Sequence, residues 1–455
     1  MSLWIVARFL GAESYGIWVM LLAFATSTAS LGSTGYSVYL IQSGTRSNVA
    51  HGKVGNVFWN CLAIGLVTSI LIFPLLWWFS ANRQDLGENY IQWLAFPIVL
   101  SMVLSYYGRF GLQAAERFKD YSVNFAFDRL IFTVAIIVLL PFGLISIGWL
   151  VAAQCLALLL GSTQAYLRLR KSLDYKLKDF KGGDFLRVNT PNFAAVYSNF
   201  FLSSSFLILA ISRFGSTGAL VGQLGLAFRC LGFIQQPLRW ITPTVFPALT
   251  RARENGGKEA VVKVVERKII PIGWFCTILY LLVQPMLFYL PVLETIFNES
   301  YRGTEVWLAI VLAAIGGEIL NSFLVKALWA LDRNNSILIS SALGAFPVVV
   351  AFLTTASPTM LVYAYAIGVW GRAGAQLYLA GSKNLGTWIL LTLSASVSLT
   401  FPATLILGFT GSILGWVNVV LCLALGLISI VFYRQLLDAV DFRKVRRLEP
   451  SEVTN

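Results

Sequence analysis

Long apolar runs alternate with short polar breaks along nearly the whole chain. The runs are continuous and about 20 residues long, the length a helix needs to cross a hydrocarbon core of roughly 30 Å. They lack the two-residue alternation of a barrel strand, so the pattern predicts transmembrane helices. About fourteen spans are expected, at 1–10, 15–32, 55–79, 90–107, 121–140, 146–166, 191–211, 219–245, 269–290, 306–329, 336–355, 360–380, 388–409 and 413–432. The first is short, because ten residues rise only about 15 Å, which predicts a start further upstream.

The breaks differ in charge. One alternating set carries Arg46, Lys53, Arg109, Arg117 and Lys119, the basic stretch from Arg168 to Arg187, and the group from Arg251 to Lys268. It continues with Arg333, Lys383 and the basic tail. The other set holds only Arg8, Arg83, Arg213 and Arg302, beside Asp85, Glu88, Glu294, Glu299 and Glu305. By the positive-inside rule the first set is cytoplasmic, and so are both termini.

A weak repeat runs through this pattern. Ala7-Arg8-Phe9-Leu10-Gly11, followed by a span opening at Tyr15-Gly16, is matched about 204 residues later by Ser212-Arg213-Phe214-Gly215 and Val221-Gly222. Trp93-Leu94-Ala95, opening a span that ends in Ala115-Glu116-Arg117-Phe118-Lys119-Asp120, is matched about 214 residues later. The second copy reads Trp307-Leu308-Ala309 and ends in Ala330-Leu331-Asp332-Arg333-Asn334. Six helices separate the copies, an even number, so two six-helix lobes of parallel sense are expected. The expected organisation is a first lobe at 1–167, a basic linker at 168–188, a second lobe at 189–381, two further helices at 382–433 and a tail at 434–455. Paired lobes facing a midplane site suit alternating access, which favours a transporter over a channel.

Composition sharpens the class. Hydrophobic residues make up 57% and charged residues 12%, about half the charged share of a soluble protein. The fold class is therefore an all-α polytopic membrane bundle. The formal charge of +13 lies mostly in the breaks, so it reads as a topology signal and not as a nucleic-acid surface. Cys61, Cys155, Cys230, Cys276 and Cys422 all fall in apolar runs, and the single histidine, His51, in a polar break. Neither set has metal-ligand spacing, so no metal site is expected.

Several segments carry a family resemblance. They are Ala7-Arg8-Phe9-Leu10-Gly11-Ala12-Glu13-Ser14-Tyr15-Gly16-Ile17-Trp18, Val221-Gly222-Gln223-Leu224-Gly225-Leu226-Ala227-Phe228-Arg229, Pro243-Thr244-Val245-Phe246-Pro247-Ala248-Leu249 and Asn298-Glu299-Ser300-Tyr301-Arg302-Gly303. With them the chain resembles the Wzx-like polysaccharide flippases of the multidrug/oligosaccharidyl-lipid/polysaccharide exporter superfamily. The resemblance implies movement of an isoprenoid pyrophosphate-linked oligosaccharide across a bacterial inner membrane. It implies no covalent chemistry, no catalytic residue and no cofactor, with proton or sodium coupling left open. Its implied partners are the lipid-linked substrate, membrane lipids and other polysaccharide assembly proteins.

A pyrophosphate crossing hydrocarbon needs cations in a cavity, and arginine offers permanent charge with forked donors. Charges inside spans cost roughly 2.5–3.5 kcal/mol each, so each needs a reason. The expected cavity residues are Arg229, Arg372, Arg129, Arg239 and Lys326, and the candidates for ion coupling are Glu318 and Asp128. Arg229 and Arg372 are the deepest, whereas Arg239 and Lys326 lie within snorkelling reach of an interface. Asp128 and Arg129 are adjacent and point about 100° apart, so they cannot pair directly in good geometry. Pro237, Pro243 and Pro247 mark one span as able to bend.

Two other readings compete. An ion-coupled exporter of cationic small molecules would favour carboxylates in its cavity, but here bases outnumber acids in the spans. A membrane-embedded glycosyl polymerase or ligase would carry a large external loop, and the external loop near 290–305 is short.

Overall fold

A computed structural model describes residues 2–51, 53–54, 57–81, 93–173, 182–214, 217–289, 295–297, 299–355 and 357–406. The expected span at 413–432, the tail, most of the basic linker and the side chain of Arg239 lie outside the described residues. The described chain is helical throughout and divides into two compact units, residues 1–222 and 223–455. The expected second lobe starts earlier, at residue 189.

The first unit contains α1 (Ser2–His51), α2 (Val57–Ala81), α3 (Ala95–Ala114), α4 (Phe118–Leu139), α5 (Ile147–Leu169), α6 (Gly182–Phe201) and α7 (Ser204–Arg213). It also takes the first turn of α8 (Gly218–Val264). Helix α1 sits among α2, α3, α6 and α7, while α5 bridges α3 and α4. The expected loop between spans one and two reduces to a single break at Gly11, with φ 71° and ψ 167°. That backbone is open to glycine and strained for other residues. Beyond it α1 continues well past residue 32, the expected end of the span.

Helices α1 and α8 approach closely at glycines. A Cβ on Gly16 would collide with the carbonyl of Gly218, and one on Gly222 with the carbonyl of Ala12. The two glycines are the ones the sequence repeat aligns. Hydroxyl side chains inside the spans turn back on their own helices: Thr28 donates to the Phe24 carbonyl at 3.0 Å, Thr68 to Ile64 at 2.8 Å and Ser101 to Pro97 at 2.7 Å. Such back-bonding lets a polar group lie at membrane depth without a partner on another helix.

The second unit contains the rest of α8, then α9 (Ile270–Tyr289), α10 (Thr304–Leu312), α11 (Ile315–Ala330), α12 (Asn334–Thr354), α13 (Pro358–Ala380) and α14 (Leu385–Ile406). Helix α13 packs against α10, α11, α12 and α14, and α9 against α10, α11 and α14. The polar break expected at 246–268 is helical instead. Helix α8 runs on to Val264, its non-helical residues being Gly256 and Gly257, and a π-helical turn over Val265–Ile269 leads into α9. Helix α8 thus breaks at two glycines.

Among the described residues eight helices are long and apolar enough to cross a membrane, or nine if the pair 193–201 and 204–213, bent by 52°, counts as one span. Helices α9, α13 and α14, which the apolar pattern also reads as spans, have 20, 23 and 22 residues.

The repeat reaches atomic detail at one turn in each unit. Glu116 and Asp332 both adopt left-handed backbone, with φ 57° and 56°. In the first unit Arg117 N donates to Leu112 O at 2.8 Å and Glu116 N to Gln113 O at 2.9 Å. In the second, Arg333 N donates to Leu328 O at 2.9 Å and Asp332 N to Trp329 O at 3.1 Å. This is the same helix-ending motif twice. The following arginine then uses its side chain alike: Arg117 donates to the Arg168 carbonyl in α5, and Arg333 to the Leu379 carbonyl in α13. Each guanidinium caps a helix C-terminus, where free carbonyls and the helix dipole favour a cation.

Candidate functional site

In the first unit the expected acid is already engaged. Asp128, 8% exposed, forms an ion pair with Arg109, which is 9% exposed. Arg109 belongs inside α3 and not in a cytoplasmic loop, where the charge pattern puts it. The helix runs seven residues past the expected span end, and this carries Arg109 down to the carboxylate. Asn124 completes the site. Its Oδ1 accepts from Arg109 Nε at 3.2 Å, and its Nδ2 donates to Gly161 O at 2.6 Å and to Gln164 Oε1 at 3.1 Å. Asn124, Asp128, Phe132 and Ile136 form the buried stripe of α4, at steps of four. Gly161 lets α5 approach, since a Cβ there would lie 3.1 Å from the Asp128 Cβ.

Arg129 points elsewhere, as adjacency on a helix requires. It is exposed, with its guanidinium 4.2 Å from the centre of the Phe125 ring. That ring also lies 5.0 Å from the Arg109 guanidinium, so both cations share one aromatic face system. The span that carries Arg129 is 17% buried, against 83% for the span 304–330.

In the second unit the geometry begins with a break. Helices α10 and α11 are separated at Ala313 and Ala314, and the Trp370 indole of α13 donates to the freed Ala313 carbonyl at 2.9 Å. Gly316 and Gly317 admit that indole, because a Cβ on either would press on Trp370 or Val369. Glu318 follows in the first turn of α11, where the helix N-terminus favours a carboxylate. Its Oε1 accepts from the Tyr365 hydroxyl at 2.8 Å. Its charge acts on Arg372, one further turn pair along α13. Arg372 is half-buried, and its Nε has no hydrogen-bond partner among the described residues.

Two more cations stand near these elements. Arg229 of α8 has an exposed side chain, next to Phe228, whose ring meets Tyr365 edge-on at 5.6 Å. Lys326 of α11 places Nζ 3.9 Å from the Trp329 ring centre. The structure thus places Glu318 against Tyr365 and within electrostatic reach of Arg372, and sets Asp128 apart in the other unit. Sequence reasoning missed Arg109, Asn124, Tyr365, Asn321 and Gln376. Arg109 was hidden by a span boundary drawn too early. Tyr365, Arg372 and Gln376 recur at helical spacing within one apolar run, a signal available in the sequence.

Chemically, the described residues of the second unit offer permanent positive charge with open donor capacity. A model of a family described as polysaccharide biosynthesis protein matches residues 2–253, more than half of the chain. No curated protein matches the chain. Among solved structures, the chain is similar to an inward-facing multidrug resistance MATE family transporter of the MOP superfamily, with TM-score 0.60, 14% identity, and coverage of 87% of this chain and 95% of that one. It is similar to the lipid II flippase MurJ in an inward closed conformation, with TM-score 0.58, 15% identity, and coverage of 96% and 97%. A Vibrio cholerae MATE transporter, VcmN, gives TM-score 0.52 at 15% identity over 86% of this chain and 99% of that one. At such identities the likeness is one of fold, that of polytopic helical transporters. On the family match, the chain belongs to the polysaccharide biosynthesis protein family.

Proposed function

We propose that the protein flips an isoprenoid pyrophosphate-linked oligosaccharide, a surface polysaccharide precursor, across the bacterial inner membrane by alternating access. The family match over residues 2–253 carries this reading, and the fold shared with a lipid II flippase supports it. The residues supply the chemistry. Arg372 keeps an unused donor at membrane depth, and Arg229 presents an exposed guanidinium from α8. Arginine matches a pyrophosphate through paired donors and fixed charge. Arg129, Arg239 and Lys326 are further contributors to a cationic path. Asp128 is not available to balance them, since Arg109 holds it. Both termini are cytoplasmic in this reading, the two lobes have parallel sense, and no bond is made or broken in the substrate.

Neutralising Arg229 and Arg372 together, as Arg229→Gln with Arg372→Gln, abolishes surface-glycan export while lipid-linked precursor accumulates inside the cell. Expression and membrane insertion of the variant are measured alongside. Wild-type export from the double variant removes both residues from the mechanism. The competing reading, an ion-coupled small-molecule exporter, predicts altered drug tolerance with unchanged precursor levels instead; a MATE structure that the chain is similar to is named for multidrug resistance.

A further inference from the structure

Within the second unit, helix α8 is tied at two points to the segment that runs through the broken pair α10 and α11, and the two ties match. Near the start of α8, Gln223 Nε2 donates to the carbonyls of Ser300 at 3.4 Å and Arg302 at 2.8 Å. Further along, Arg253 Nη1 donates to the carbonyl of Ala330 at 2.6 Å and to Asp332 Oδ2 at 2.5 Å. Each donor thus reaches partners 77 and 79 residues ahead. Equal offsets mean that α8 and the segment 300–332 run side by side in the same sense and in one register, over about 45 Å of helix. Arg253 comes just before α8 breaks at Gly256 and Gly257.

Both ties end on well-held backbone. Tyr301, between the two carbonyls that Gln223 takes, is fully buried with its ring against Phe297. Asp332 sits in the left-handed turn after α11, and its neighbour Arg333 caps α13. The second tie is itself open, with the Arg253 side chain 34% exposed and that of Asp332 76%. Exposed polar contacts add little to stability, so the effect of these ties lies in geometry. A single tie leaves a helix free to swing or turn about it, whereas two at opposite ends fix its tilt, its height and its rotation. Arg229 lies between them on α8, with its side chain exposed. In the first unit, where the repeat aligns α1 with α8, the corresponding junction is a close approach at a glycine: a Cβ on Gly44 would lie 2.9 Å from the Cβ of Ala114.

We propose that Gln223 and Arg253 are positioning residues for transport: they hold α8 in register on the segment 300–332, so that α8, α10 and α11 move as one strut and Arg229 keeps a fixed direction through the cycle. The role in transport rests on the proposed function through Arg229, while the ties themselves do not.

The test uses the purified full-length protein, with its native cysteines replaced, in lipid vesicles. Arg229→Cys reports the direction of residue 229 through its rate of modification by a small water-soluble methanethiosulfonate. Removing the donor of either tie, by Gln223→Met or Arg253→Met, is expected to change that rate about fivefold, since thiol reactivity follows exposure and ionisation. The melting temperature is expected to stay within about 2 °C, and Arg253→Lys, which keeps a donor, to restore the parent rate. Unchanged rates in both Met variants, or rates that change only together with a lower melting temperature, overturn the proposal. A second measurement keeps Arg229 and pairs Arg253→Cys with Asp332→Cys, read by the flipping of a fluorescent lipid-linked sugar. Reduced, the pair lacks its tie and is expected to flip about fivefold slower than the parent, as a misplaced binding group would cause. Joining the two thiols with a short, reducible bifunctional methanethiosulfonate is expected to restore the parent rate, and arrest of flipping by that bridge overturns the proposal. If the parent itself does not flip the sugar, the proposed function fails and the modification rates alone decide the ties.

Discussion

The two units treat intramembrane charge in opposite ways. In the first, Asp128 and Arg109 neutralise each other, and Asn124 ties the pair to the backbone of α5. Three helices meet there, and among the buried side-chain atoms of Arg109, Asn124 and Asp128 the Asp128 Oδ1 alone lacks a hydrogen-bond partner. In the second, Arg372 feels the charge of Glu318 yet keeps a buried donor unused, and Asn321 and Gln376 leave three more polar atoms unpaired. The equivalent helices differ too: α3 is continuous, whereas α10 and α11 are broken just before Glu318. A paired charge holds helices together, while an unpaired one waits for a ligand or water. The first unit thus spends its buried charge on a pair, and the second keeps the open donor capacity that the proposed function draws on.

This contrast predicts different costs for removing charge. Arg109→Met leaves a buried carboxylate without its partner and is expected to destabilise the protein by about 3–5 kcal/mol, seen as lost monodispersity or a lower melting point in detergent. Pairing it with Asp128→Leu restores most of that stability, because no orphaned charge remains. Arg372→Met should shift stability by less than about 1 kcal/mol in either direction, since it removes a guanidinium that is incompletely paired. Equal destabilisation by Arg109→Met and Arg372→Met would erase the distinction between the units.

A smaller effect sharpens the broken-helix half of the comparison. Trp370→Phe keeps the packing against Gly316 and Gly317 but leaves the Ala313 carbonyl without its indole donor. The expected cost is about 1–2 kcal/mol, read from thermal unfolding. The smallest effect compares the two repeated turns. Glu116→Gly relieves left-handed strain and should stabilise by about 0.5–1 kcal/mol. Asp332→Gly gains less, because Asp332 also receives a 2.5 Å bond from Arg253 Nη1. A larger gain at Asp332 than at Glu116 would mean that the Arg253 contact contributes nothing.

The helical membrane class was plain from apolar runs and scarce charge, because hydrocarbon leaves few alternatives to a helix. The repeat was legible at the Glu116-Arg117 and Asp332-Arg333 turns, where the backbone repeats what the letters suggest. Helix ends were not. Apolar periodicity stops where lipid stops, whereas hydrogen bonding carries α1 to His51 and α8 to Val264, both past the hydrophobic signal. The same limit hid Arg109, whose partner is set by tertiary packing of α3 on α4 and not by local sequence. Glu318 and Arg372 could be picked out as charges in apolar runs, whereas Tyr365 and Gln376 share the helical spacing of Arg372 but carry no charge to single them out.

Reconstitution tests the flippase reading most directly. Vesicles containing the purified protein and a fluorescent isoprenoid pyrophosphate-linked oligosaccharide in both leaflets are exposed to a membrane-impermeant quencher or a glycosidase. The proposed function predicts that all of the lipid-linked sugar becomes accessible with the wild-type protein, while the Arg229→Gln, Arg372→Gln variant leaves the inner-leaflet half protected. Protection of that half with the wild-type protein, under conditions where its fold is intact and a transmembrane proton gradient is supplied, would contradict it.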